Sequence, residues 1–171
     1  MTTTRYDRRM YAMMNDRRAA AFYATKGRRR ILVGAHIVLT GIGVGAWIGT
    51  VSASGLGPAV LVAAVLVPWV LLTGMLNGST RGLLELRGRM LDERQLVERD
   101  RVRALAHRVT LWLLVAAAGA AGGYGVLSDV EPRAWVLPVL VGVLAVHWMM
   151  PLWVAGLRVQ DDLVDDSDDE V

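Results

Sequence analysis

The chain contains no cysteine, which excludes disulfides, thiolate metal sites and cysteine nucleophiles. It has one phenylalanine and, among nineteen basic residues, one lysine, Lys26; that bias toward arginine goes with GC-rich bacterial coding. No P-loop, serine elbow or His-Glu-x-x-His pattern occurs, so no catalytic residue, metal site or cofactor is assigned. Four long stretches lack Asp, Glu, Lys and Arg altogether: Ile31 to Ser52, Pro58 to Leu76, Val109 to Leu127 and Ala134 to Leu157. A soluble domain of 171 residues would not leave such runs uncharged.

What the chain does have is apolar content gathered into those four blocks, with 54% hydrophobic residues and a mean hydropathy of +0.38. A hydrocarbon core about 30 Å thick is crossed by roughly 20 apolar residues in helix. Inside lipid each backbone N–H and C=O needs an internal partner, so each block is expected to be an α-helix. The predicted fold is an all-α membrane protein with four transmembrane helices, two hairpins joined by a charged cytoplasmic helical loop. The segments are a basic amphipathic stretch at 1–30, hairpin one at 31–76, the charged loop at 77–108, hairpin two at 109–157 and an acidic tail at 158–171. The first apolar run is too long for a signal-peptide core, so no cleaved leader is expected.

Orientation follows from the basic residues, which stay cytoplasmic near span ends. Nine of them lie in the first thirty positions and eight from Arg81 to Arg108, whereas the two short loops hold only Arg133. The reading is a multi-pass protein of the bacterial cytoplasmic membrane with both termini inside. Anionic inner-leaflet lipid is the nearest counter-charge for the basic segments, and nucleic acid is not expected. Tyr6, Met10, Met13, Met14 and Ala21, interleaved with Arg5, Arg8, Arg9 and Arg18, suit a helix lying on that leaflet. The tail holds seven acids in its last eleven residues and reads as a solvated segment. Trp47, Trp112, Trp135 and Trp153 fall where interfacial anchors sit, and Trp69 and Trp148 lie deeper, as packing residues.

In the loop, Glu85 with Arg89 and Arg89 with Glu93 are spaced four apart, as on one helical face. Leu83, Leu86, Met90 and Val97 would form a thin apolar stripe beside them. The expectation is a helical hairpin whose half-wet stripe needs cover, which makes Glu85, Arg89, Asp92, Glu93 and Arg94 the candidate interaction residues. Asp92 and Glu93 equally suit a helix's first turn, where carboxylates meet the positive dipole end. The run Glu85-Leu86-Arg87-Gly88-Arg89-Met90-Leu91-Asp92-Glu93-Arg94-Gln95, followed by Arg99, Arg101, Ala104 and Ala106, resembles small bacterial multi-pass membrane proteins of uncharacterised function. In those an Asp-Glu-Arg triplet precedes a transmembrane helix. The resemblance implies a membrane location and no activity.

His36 and His147 are the only ionisable side chains deep in the spans, and intramembrane polar groups are functional candidates. Two imidazoles can ligate haem iron, and a neutral histidine bonded within the bundle is the simpler reading. Gly41, Gly45 and Gly49, with Gly119 and Gly123, recur every four residues and mark expected helix-packing faces, toward another span or a second copy in a homo-oligomer. Function is read first as a non-enzymatic interaction or regulatory component acting on a protein partner through the loop. A small transporter or channel subunit is the alternative, with a duplicated hairpin in its favour, and a haem-binding or enzymatic protein using His36 and His147 is the second alternative.

Overall fold

The computed structural model describes residues 4–14, 23, 25–52, 55–127 and 133–158. Among these every regular element is a helix and none is a strand: α1 (Arg5–Met14), α2 (Lys26–Ser52), α3 (Gly57–Ser79), α4 (Glu93–Leu127) and α5 (Arg133–Arg158), plus one 3-10 turn at Gly88–Met90. Helices α2 to α5 are each long and apolar enough to cross a membrane. Arg18, Ala21, the acidic tail and the side chain of Trp135 lie outside the described residues.

Helix α2 packs against α3 and α5, α4 packs against α5, and α1 lies on α3. The buried core sits at the end of the bundle that carries residues 80–92, hereafter the loop end. It joins Val33, Leu76, Val102 and Ala106 to the run from Met149 to Ala155 of α5, with Leu83 of the loop plugged in above. Away from that end α4 stands apart, and every residue from Leu111 to Gly123 is exposed. Successive helical residues point about 100° apart, so the exposure extends around this half of the helix.

In lipid, helices associate through close packing, because the tails are as apolar as the side chains. The glycines that permit close approach here are Gly142 and Gly156. A Cβ at Gly142 would lie 2.8 Å from Val44 Cγ1, and one at Gly156 2.9 Å from Val33 Cγ2. The expected stripes differ: a Cβ at Gly41, Gly45, Gly119 or Gly123 would meet nothing within 4 Å, and only Gly49 has a close neighbour, Pro58, at 3.5 Å. A four-residue period puts glycines on one face without saying which way the face turns, and these turn outward.

The first arm of the loop is not α-helical. Helix α3 ends in a Schellman motif in which Gly82 N–H donates to the Asn77 carbonyl (3.0 Å) and Arg81 N–H to that of Gly78 (2.9 Å). Arg81 has φ +52 and Gly82 φ +69, left-handed values that no helix continues through. The chain then coils tightly, burying Leu83, Leu86 and Leu91. The second arm is α-helical and continuous with the third span, so α4 rises well beyond its apolar stretch. Glu85, Arg89 and Glu93 therefore do not share a helical face, and Leu83 and Leu86 need no external cover. Val97 alone of that stripe stays exposed, at 51%.

Candidate functional site

Two polar constellations stand out, one at the loop end and one inside the bundle. At the loop end α1 opens with a reciprocal cap. The Thr4 N–H and hydroxyl donate to Asp7 Oδ2 at 2.9 and 2.8 Å, and Asp7 N–H returns a bond to the Thr4 hydroxyl at 3.3 Å. This Thr-x-x-Asp arrangement satisfies donors that a helix start leaves bare. Asp7, 2% exposed, also accepts a charge-assisted hydrogen bond from Arg89 Nη2, and Arg87 Nη1 lies 3.7 Å from its other oxygen. The Arg87 guanidinium sits 5.6 Å from the Tyr6 ring centroid, within cation–π range. Met14 closes the same seam, because a Cβ at Gly82 would fall 2.9 Å from Met14 Cγ. Helix α1 is thus clipped to the loop. The Thr4 backbone N–H, then its hydroxyl and the Arg89 guanidinium, outweigh burial and hold the Asp7 carboxyl down to about 2.

The expected interaction residues divide. Asp92 is the N-cap of α4: its Oδ1 accepts from Gln95 N–H at 2.7 Å, and its own N–H donates to Gln95 Oε1 at 3.1 Å. Glu85 accepts from Asn77 Nδ2 at 3.3 Å, and Arg89 holds Asp7. Those three serve the fold. Glu93 and Arg94 remain exposed. On α4, Gln95, Arg99, Val102 and Ala106 face the bundle, with Arg99 Nη1 donating to the Leu86 carbonyl at 3.4 Å. The opposite face carries Arg94, Val97, Arg101, Ala104 and Arg108, all exposed.

Inside the bundle, His36 is fully buried and joins three helices. The Trp153 indole N–H donates to His36 Nδ1 at 2.9 Å. Since an indole only donates, Nδ1 is the bare nitrogen and the proton resides on Nε2. Nε2–H accordingly donates to Thr73 Oγ1 at 2.9 Å, and Thr73 passes its own proton to the Trp69 carbonyl at 2.8 Å. Trp69 Nε1–H donates to Thr40 Oγ1 at 2.9 Å, and that hydroxyl donates to the His36 carbonyl at 2.8 Å. The imidazole also lies against both indoles, with ring centroids 5.0 Å from Trp69 and 6.0 Å from Trp153. The Thr40 hydroxyl also lies 3.5 Å from His36 Nδ1.

His147 is not part of it. It is exposed and precedes Trp153 by six residues, about 9 Å along α5 and some 240° around it. The two histidines do not converge as a ligand pair, and both ring nitrogens of His36 are already bonded. Among the described residues no three His, Asp or Glu side chains gather as a metal site. Trp153, expected at the interface, is a core residue because His36 offers its N–H an acceptor. Trp148, expected to pack, is 72% exposed. Asp7, Thr40 and Thr73 went unread in the sequence, although Thr4-x-x-Asp7 is a cap signature and Thr40 and Thr73 lie one turn after His36 and Trp69.

Comparison with known protein families, with characterised proteins and with solved structures finds no match to this chain.

Proposed function

We propose that this chain is a non-enzymatic interaction protein of the bacterial cytoplasmic membrane, loop end inward, that receives a partner helix along the outward face of α4. The observation that carries the reading is that this face is continuous and uncovered. It runs from Arg94, Val97, Arg101, Ala104 and Arg108 through Val115 to Gly119 and Gly123, residues that fall within about 100° of one another at 3.6 per turn. The basic half suits an acidic segment beside a membrane span, and the small-residue half suits the close approach of that span. The loop itself, with Glu85, Arg89 and Asp92 bonded internally, serves as the scaffold that aims α4.

A photo-crosslinking residue at Val97 or Val115, in cells, tests this. Both positions should trap the same protein, and Arg94→Glu with Arg101→Glu should abolish the adduct at both. Labelling of lipid alone at Val115 and of nothing at Val97 would end the proposal.

A further inference from the structure

We propose that the junction of α1 with α3 is a binding slot for one acyl chain of an anionic phospholipid. A cavity of about 350 Å³ opens there, walled by Met13 and Met14 of α1, Leu71 and Met75 of α3, and Tyr23. Its floor is Gly74, where a Cβ would meet nothing within 4 Å, while one turn on Gly78 is closed by the Tyr23 hydroxyl at 3.0 Å from a Cβ built there. Tyr23 is held in place through its carbonyl, which accepts from the buried Arg29 Nη1 at 3.3 Å. The space is therefore open over Gly74 and stopped at Gly78.

The walls select the occupant. Leu71 to Gly78 spans about 10 Å of helix, and a second helix, itself about 10 Å across, is too thick for that volume. A flexible hydrocarbon chain fits, and methionines adapt to irregular apolar shapes. Leu71 and Gly74 belong to a helix long and apolar enough to cross the bilayer, which suits the mouth to lipid rather than water. Charge selects the headgroup. Among the described residues of α1 and the first turns of α2, each exposed charge is positive: Arg5, Arg8, Arg9, Lys26, Arg28 and Arg30. Asp7, the acid of α1, is bonded to Arg89. Arg9 stands one helical turn before Met13 on the same side, and Lys26 three residues after Tyr23. A phosphate there meets cations while its chain enters the slot.

The full chain, purified in mild detergent supplied with equal phosphatidylglycerol and phosphatidylcholine, is weighed intact by native mass spectrometry. Wild type should carry one phospholipid, predominantly the anionic one. Gly74→Leu fills the slot and should lose it, as should Met13→Trp from the opposite wall. Gly45→Leu adds equal bulk on an open face elsewhere and should retain it. Replacing Arg9, Lys26 and Arg30 by glutamine should erase the headgroup preference while leaving a bound lipid. Wild type without lipid, or equal retention in the Gly74→Leu and Gly45→Leu proteins, overturns the assignment. Helicity measured on each variant separates loss of lipid from loss of fold, and Met13→Trp decides the matter if Gly74→Leu does not fold.

Discussion

The indole of Trp153 donates to Nδ1 of His36 across 2.9 Å, and that one bond fixes the imidazole tautomer and ties the fourth span to the first. Trp153→Phe keeps the bulk and removes the donor, leaving the buried ring nitrogen with only the Thr40 hydroxyl, 3.5 Å away. Leaving a buried polar group unpaired costs about 1–3 kcal/mol, so the melting temperature in detergent should fall. The coupling between Trp153→Phe and His36→Phe should be positive and nearer the 0.6–1.7 kcal/mol found between membrane helices. Additive effects of the two substitutions would mean that the bond contributes nothing.

Glycine substitutions should rank by neighbour and not by period. Gly142→Ile drives a branched side chain into Val44 and should destabilise the bundle by about 1–3 kcal/mol. Gly45→Ile meets open space in the monomer and should leave the monomer's unfolding curve where it is. A reversed ranking in detergent denaturation would show that the α2 to α5 contact differs from the one described.

Helix α1 should leave the loop in acid. The Asp7 carboxyl is held at about 2, below its ordinary 3.8. Its bonds to Thr4 hold the start of α1 and its bond to Arg89 holds α1 to the loop; both are fully present above about pH 4 and fade as pH falls toward 2. Because the chain lacks cysteine, spin labels at Tyr11→Cys and Glu85→Cys report the separation without background. The distance should lengthen between pH 4 and 2, and in Asp7→Asn it should be long already at neutral pH. A short distance in Asp7→Asn at neutral pH would assign the docking to Met14 and Tyr6 alone.

Reporter fusions after Thr4, Ser54, Arg94, Asp129 and Asp168 should alternate in, out, in, out, in, as the basic segments require. An externally active fusion after Arg94 would invert the protein and, with it, the leaflet that supplies the acyl slot.

The four spans were legible because lipid leaves an uncharged run of that length no alternative to helix. Their true ends were less so: α2 and α4 begin in charged sequence at Lys26 and Glu93, where solvated side chains and the Asp92 cap extend a helix past its apolar part. The loop was misread at one place. Glycine at 82 is a poor helix former, but nothing in the sequence marks a left-handed Arg81 beside it, and together they turn a helical arm into a coil that buries Leu83 and Leu86. The Asp7–Arg89 pair joins residues 82 apart, a distance across which spacing carries no signal. His36 could be singled out as polar within lipid, yet its partners come from three different helices, and only packing decides which of several threonines and tryptophans meet it.

Most of the buried cluster comes from Met149 to Ala155, in a helix synthesised after the other four. Chains emerge amino terminus first, so the first three spans enter the bilayer before the helix that completes their core. During that interval the nitrogen of His36 that Trp153 will cover has only the Thr40 hydroxyl beside it, and Val102 and Ala106 lack the α5 part of their cluster. Pairing of α2 with α3 can precede the last span, but closure of the core waits for it, and a nascent chain arrested before residue 149 should be more sensitive to membrane proteases than the complete bundle.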